Sequence, residues 1–148
     1  MNTLPRLFVT AFSAGVPGVV ALHDIHSNLE RLEIMRGGEV VDSYTPQDLE
    51  QGRTLGLYEQ LHSAAVAKGY TVTLYSIAGA HPSVAHVVRL EKDGLTTQME
   101  GASPIVALLR SCIEHRQQSR KPPGFWERLR WAWQDSKTDR KEQRRLRK

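Results

Sequence analysis

Trp126, Trp131 and Trp133 are the three tryptophans of the chain, and they stand within eight residues of one another, beside Arg128 and Arg130. Soon after, the sequence becomes almost wholly charged and reaches Arg144-Arg145-Leu146-Arg147-Lys148. Guanidinium and ammonium groups neutralise phosphates. Indole rings offer faces on which unpaired bases stack. Arg128, Arg130, Trp131, Arg140, Lys141, Arg144, Arg145, Arg147 and Lys148 are therefore the candidate contacts to nucleic acid, either RNA or single-stranded DNA. Read as a helix, Trp126, Leu129 and Trp133 share one face with Phe125 beside it. That stripe is a candidate docking face for the protein's own body, a second copy or another protein. A stripe of this kind flanked by basic residues also suits an anionic membrane surface, the weaker of these partner expectations. A fourth reading leaves the segment without structure.

The charge of the chain divides sharply. Residues 1–118 hold 9 Lys+Arg and 12 Asp+Glu, so 9 − 12 = −3; residues 119–148 hold 11 and 4, so 11 − 4 = +7. Attraction for a polyanion belongs to the second segment, and the first is mildly repulsive to it. Pro122-Pro123-Gly124 stands between the two as a short stiff linker. The expected organisation is thus a body over 1–118 and a basic, tryptophan-rich tail over 119–148.

A second group with chemical content is Asp24-Ile25-His26-Ser27-Asn28-Leu29-Glu30, which follows the apolar run Val19-Val20-Ala21-Leu22. This Asp-x-His after an apolar strand resembles the first metal-binding motif of the calcineurin-like metallophosphoesterases. The resemblance covers about eleven residues and implies a metal-dependent phosphoesterase. In it, Asp24 and His26 would ligate one metal of a pair that activates water. Ser27 stands where that family has glycine and His23 where it has serine, and its later Gly-Asp, Gly-Asn-His and Gly-His-x-His segments have no counterpart here. Without that resemblance, the segment reads as a polar turn with surface histidines. The leading expectation is accordingly a non-enzymatic binding or adaptor protein with no cofactor and no metal.

Other reactive residue types lack context. His62, His86 and His115 have no ligand spacing with one another, and the cation-favouring end of a helix is the expected place of His115. Ser13, Ser76 and Ser111 lack a nucleophile-elbow setting. The single cysteine, Cys112, sits among Leu108, Leu109 and Ile113 and reads as a small core residue. It has no intramolecular partner for a disulfide, which suits a reducing compartment. The apolar run Leu7–Leu22 is broken by Gly15, Pro17 and Gly18, so no secretion signal is expected from it. The location expected is cytoplasmic.

The elements that must carry these groups follow from pattern. A hydrophobic fraction of 40% with 24% charge excludes a disordered chain. Leu7–Ser13, aromatic and β-branched, reads as a strand, and Val19–Leu22 as a second. Leu29–Met35 fits a strand or a helical turn. Gly37-Gly38 makes a hairpin turn to a strand over Glu39–Tyr44. Thr45-Pro46 caps and opens a helix with Leu57, Leu61, Ala64 and Ala65 as its stripe and Lys68-Gly69 as its stop. Gly52 and Gly56 within it imply either close packing or a break near Gly52. Thr71–Ile77, Val84–Glu91 and Thr96–Glu100 read as strands, with a hairpin turn at Lys92-Asp93-Gly94. Ser103-Pro104 opens a second helix, with Ile105, Leu108, Leu109, Cys112 and Ile113 inward, to about Gln118.

The fold class is α+β: a mainly antiparallel sheet, two principal helices and a basic C-terminal helical tail. Residues 7–69 and 71–118 share a plan of strands closed by a helix, and so form a candidate internal repeat. Arg31-Leu32-Glu33 matches Arg89-Leu90-Glu91, Thr45-Pro46 matches Ser103-Pro104, and Val9-Thr10 is placed against Val72-Thr73. Strand-and-helix duplications of this kind resemble in outline the Whirly and Pur single-stranded nucleic-acid-binding domains.

Overall fold

The computed structural model describes residues 3–120 of the chain. It is an α+β fold of two antiparallel three-stranded sheets and four α-helices. The first helix, α1, is Leu4–Ala14. This corrects the strand expected over Leu7–Ser13. The run is rich in β-formers, but its punctuation is helical. Thr3 stands at the N-cap, Pro5 in the first turn, and Gly15 at the end in the left-handed region, φ 80°. Phe8, Val9, Ala11 and Ala14 are buried, while Arg6, Thr10 and Ser13 are exposed. Tertiary burial of that stripe outweighs the strand preference of its residues.

Sheet 1 is the meander β1 (Val19–His23), β2 (Leu29–Arg36) and β3 (Glu39–Tyr44). Ala21, Leu32 and Tyr44 lie in register on its inner face, all buried. Leu29–Met35 is therefore strand, the first of its two readings. Gly18 opens the sheet at φ +78°, and a Cβ there would stand 2.6 Å from Ala64 Cβ. The close approach of helix to turn needs glycine at that point.

Two helices then cover the sheet. In α2 (Pro46–Glu50), Thr45 accepts from the Asp48 amide at 3.2 Å while Asp48 accepts from the Thr45 amide at 3.0 Å. This capping box satisfies two end amides at once. α3 is Leu57–Ala67, with Leu57, Leu61 and Ala65 buried. Of the two readings of Gly52 and Gly56 the structure takes the break: they stand between α2 and α3 at φ +72° and +77°, with open space where a Cβ would lie.

Sheet 2 repeats the meander with β4 (Thr71–Ser76), β5 (His86–Lys92) and β6 (Leu95–Gly101). A single 3-10 turn, Pro82–Val84, stands in the β4–β5 connection, so β5 starts two residues later than Val84. The last helix, α4, is Pro104–Arg120. Its Ile105, Leu108, Leu109, Cys112 and Ile113 are buried. They join Phe8, Leu32, Ile34, Leu57, Val88 and Leu90 in one hydrophobic cluster that both sheets share.

The two sheets have a common connectivity, but it starts at Val19 and not at Leu7. Val9-Thr10 lies in α1 and Val72-Thr73 in β4, so that part of the matching is corrected. Leu32 and Leu90, both 0% exposed, are the inward residues of the two central strands. Thr45-Pro46 and Ser103-Pro104 each open a helix. Among the described residues, no helix is long and apolar enough to cross a membrane.

Candidate functional site

The candidate nucleic-acid contacts Arg128, Arg130, Trp131, Arg140, Lys141, Arg144, Arg145, Arg147 and Lys148 lie outside the described residues. So does the docking face of Phe125, Trp126, Leu129 and Trp133. What the structure builds is the body, and three of its features bear on function.

The first is the Asp24–Asn28 segment. It is the β1–β2 hairpin loop. Asp24 Oδ1 accepts from the backbone amides of His26 at 2.8 Å and Asn28 at 2.9 Å, and Oδ2 accepts from Asn28 Nδ2 at 3.2 Å. The Asp24 amide donates to the Asn28 carbonyl and the Ser27 amide to the Asp24 carbonyl, both at 3.1 Å. The Asn28 amide, helped by its side chain and the His26 amide, holds the Asp24 carboxyl below the usual aspartate value. Ser27 adopts φ 62°, the left-handed region that glycine enters freely. Asp24 thus organises its own loop, and both its oxygens are engaged in doing so. Its carboxylate and His26 are placed by a loop rather than by the strand end. Among the described residues, no three His, Cys, Asp or Glu side chains gather closely enough to hold a metal ion.

The second feature is the set of polar groups under α4. Ser111 is fully buried and donates to the Val88 carbonyl of β5 at 2.7 Å, while Thr97 Oγ1 of β6 donates to the Ser111 carbonyl at 3.3 Å. These bonds fasten the helix to sheet 2, so Ser111 acts in structure. His115, toward the C-terminal end of α4, is only 3% exposed. Its ring meets Tyr70 edge-on at 4.9 Å between centroids, with Nδ1 3.4 Å from the Tyr70 hydroxyl oxygen. Lys92 Nζ stands 4.9 Å from the centroid of the same Tyr70 ring. Burial pushes the Cys112 thiol up to about 12, so it is a neutral core group, as its neighbours in sequence implied.

The third feature is β4, which sequence reasoning did not single out. It is an edge strand of sheet 2 and reads Thr71-Val72-Thr73-Leu74-Tyr75-Ser76, without a charge or a proline. Every residue but Val72 is exposed. Leu74, Tyr75 and the following Ile77 are 38%, 45% and 48% exposed. Alternation marked this segment as a strand, but whether a strand lies at an edge is decided by topology, which the pattern does not carry. Elsewhere the body offers an open cleft of about 370 Å³ lined by Arg6, Val9, Thr10, Ser13 and Ser27.

Compared with models of known protein families, with curated proteins and with solved structures, the chain gives no match. The resemblances to metallophosphoesterases and to Whirly and Pur domains therefore rest on the sequence patterns alone.

Proposed function

We propose that the chain is a non-enzymatic binding protein whose basic, tryptophan-bearing segment engages nucleic acid, RNA or single-stranded DNA, while the α+β body serves as its folded platform. The observation that carries this reading is the division of charge, −3 over residues 1–118 against +7 over residues 119–148. A segment so basic attracts a polyanion by releasing its condensed counterions. Its three tryptophans add sequence-tolerant stacking on unpaired bases. In the body, the most reactive-looking motif is engaged elsewhere: Asp24 spends its carboxylate on the loop amides.

Titration of the chain against a fluorescent single-stranded oligonucleotide at several salt concentrations tests the reading. Affinity should fall with salt at a log–log slope of about −0.7 per phosphate neutralised. A chain ending at Ser119 should lose nearly all of this binding. Trp131→Ala should weaken it by about 1–3 kcal/mol if the indole stacks on a base. Retained affinity after truncation, or a flat salt response, would overturn the proposal. Flotation with anionic vesicles at equal affinity, abolished by changes at Trp126 and Trp133, would replace it with the membrane-surface reading.

A further inference from the structure

We propose that β4 is a homodimerisation strand: two copies of the chain pair antiparallel through it, about a two-fold axis at Leu74, and join their second sheets into one. The starting point is the direction of the backbone groups. The Ile77 amide donates to the Ala85 carbonyl at 2.8 Å, one step beyond the Ser76–His86 register. In an antiparallel pair, bonded residues alternate. Thr71, Thr73 and Tyr75 therefore direct their amides and carbonyls toward β5, and Val72, Leu74 and Ser76 direct theirs to the free edge. Among the described residues, no strand pairs with that edge.

Natural edge strands are protected by charge, proline or a bulge. β4 has none of these, and its register with β5 is unbroken from Thr71 to Ser76. β1 is the other uncharged edge strand, but its Val19 and Ala21 are buried and its register shifts at Leu22–His23. β3 carries Glu39 and Asp42 and a shift in the β2–β3 register at Ile34–Met35. β6 carries Glu100.

Charge and shape select a second copy as the occupant. β4 carries no charged residue, so pairing it with its own copy sets no like charges opposite one another. The neighbouring ions on β5, Arg89 and Glu91, already pair with each other at 2.7 Å. A two-fold about Leu74 sets Val72 opposite Ser76 of the second copy and Leu74 opposite Leu74. Every outward amide and carbonyl of these three residues then finds a partner. Leu74 is in register with Val88, which is 0% exposed, so it lies on the inner, apolar face. Its exposed surface is closed by its own counterpart. On the outer face, Thr73 falls opposite Tyr75 of the second copy. Pairing along one short strand lies at the weak end of specific interfaces, under about 1,200 Å². The dimer is therefore reversible, and its population rises with concentration.

Sedimentation equilibrium of the full chain over a wide concentration range tests this. The weight-average mass should climb from 16.7 kDa toward twice that value. Thr73→Glu with Tyr75→Glu places acids opposite acids twice across the axis, and this variant should stay monomeric at every concentration. Both residues are exposed, so its melting curve should match that of the native chain at low concentration. Thr73→Glu with Tyr75→Lys restores opposite charges in this register alone and should recover the dimer. A native chain that stays monomeric, a dimer untouched by the double-acid variant, or a Glu/Lys variant that fails to recover it would overturn the proposal.

Discussion

β3 and β4 are edge strands in neighbouring sheets of one core, and they treat their edges in opposite ways. β3 carries Glu39 and Asp42, and a register shift interrupts its pairing with β2. Asp42 is also occupied, accepting from the Tyr44 hydroxyl at 2.8 Å, the Ser43 amide at 2.9 Å and Gln60 Nε2 at 3.2 Å. β4 is paired to β5 without a register shift, uncharged and largely exposed. Two sheets of the same connectivity thus differ where connectivity says nothing, in the chemistry of an outer strand. A fold plan fixes which residues go inside, while the freedom to meet a partner sits in the residues it leaves outside.

The largest effects should show what the two sheets share. Leu32→Ala and Leu90→Ala each remove a fully buried side chain from a central strand, and each should cost about 2–5 kcal/mol in urea unfolding. Because one hydrophobic cluster spans both sheets, each variant should still unfold in a single transition. A separate transition for sheet 1 after Leu32→Ala would break the comparison, since the sheets would then be independent units.

Smaller effects should come from the helix openings. Thr45 accepts from the Asp48 amide and Ser103 Oγ from the Val106 amide, both at 3.2 Å. Thr45→Ala and Ser103→Ala should each cost about 0.5–2 kcal/mol in the same assay. The capping box is reciprocal at Thr45, so that change should be the larger. The reverse order would show that α4 relies on its cap more than α2 does.

The smallest effect should separate the sheets by pH. Loop amides depress the Asp24 carboxyl, and the Tyr44 hydroxyl with the Ser43 amide depresses that of Asp42. A carboxyl lowered in the folded state stabilises fully above its unfolded value and loses that contribution as pH falls through the folded one. Both groups belong to sheet 1. The β4–β5 connection, residues 77–85, contains no acid. Amide hydrogen exchange below pH 3.8, the ordinary aspartate value, should therefore rise first in β1–β3. Asp24→Asn should flatten that response at the β1–β2 hairpin, and equal loss of protection in both sheets would contradict the assignment.

Much of this architecture was legible from punctuation. Thr45-Pro46, Ser103-Pro104, Gly37-Gly38 and Asp93-Gly94 mark their elements because each turn or cap needs those residue types. α1 was misread because Phe8, Val9 and Thr10 favour strands locally, whereas burial of Phe8 and Ala11 decides for helix. The Asp24 loop was ambiguous for a different reason. A carboxylate that caps amides and one that binds metal call for the same side chain beside the same small polar neighbours. The exposure of β4 could not be read at all, because it depends on which strand ends up beside which.

Cys112 gives this body a built-in clock. The single thiol of the chain is 2% exposed, and burial raises it to about 12. Alkylating reagents attack thiolates, so the closed protein offers them no target. Each modification event must then wait for the core around Cys112 to open. With reagent in excess and the sulfur reacting on every exposure, the rate of adduct formation becomes the rate of that opening. One unmodified side chain thus times the opening of the core in a native chain, without a probe having to be introduced.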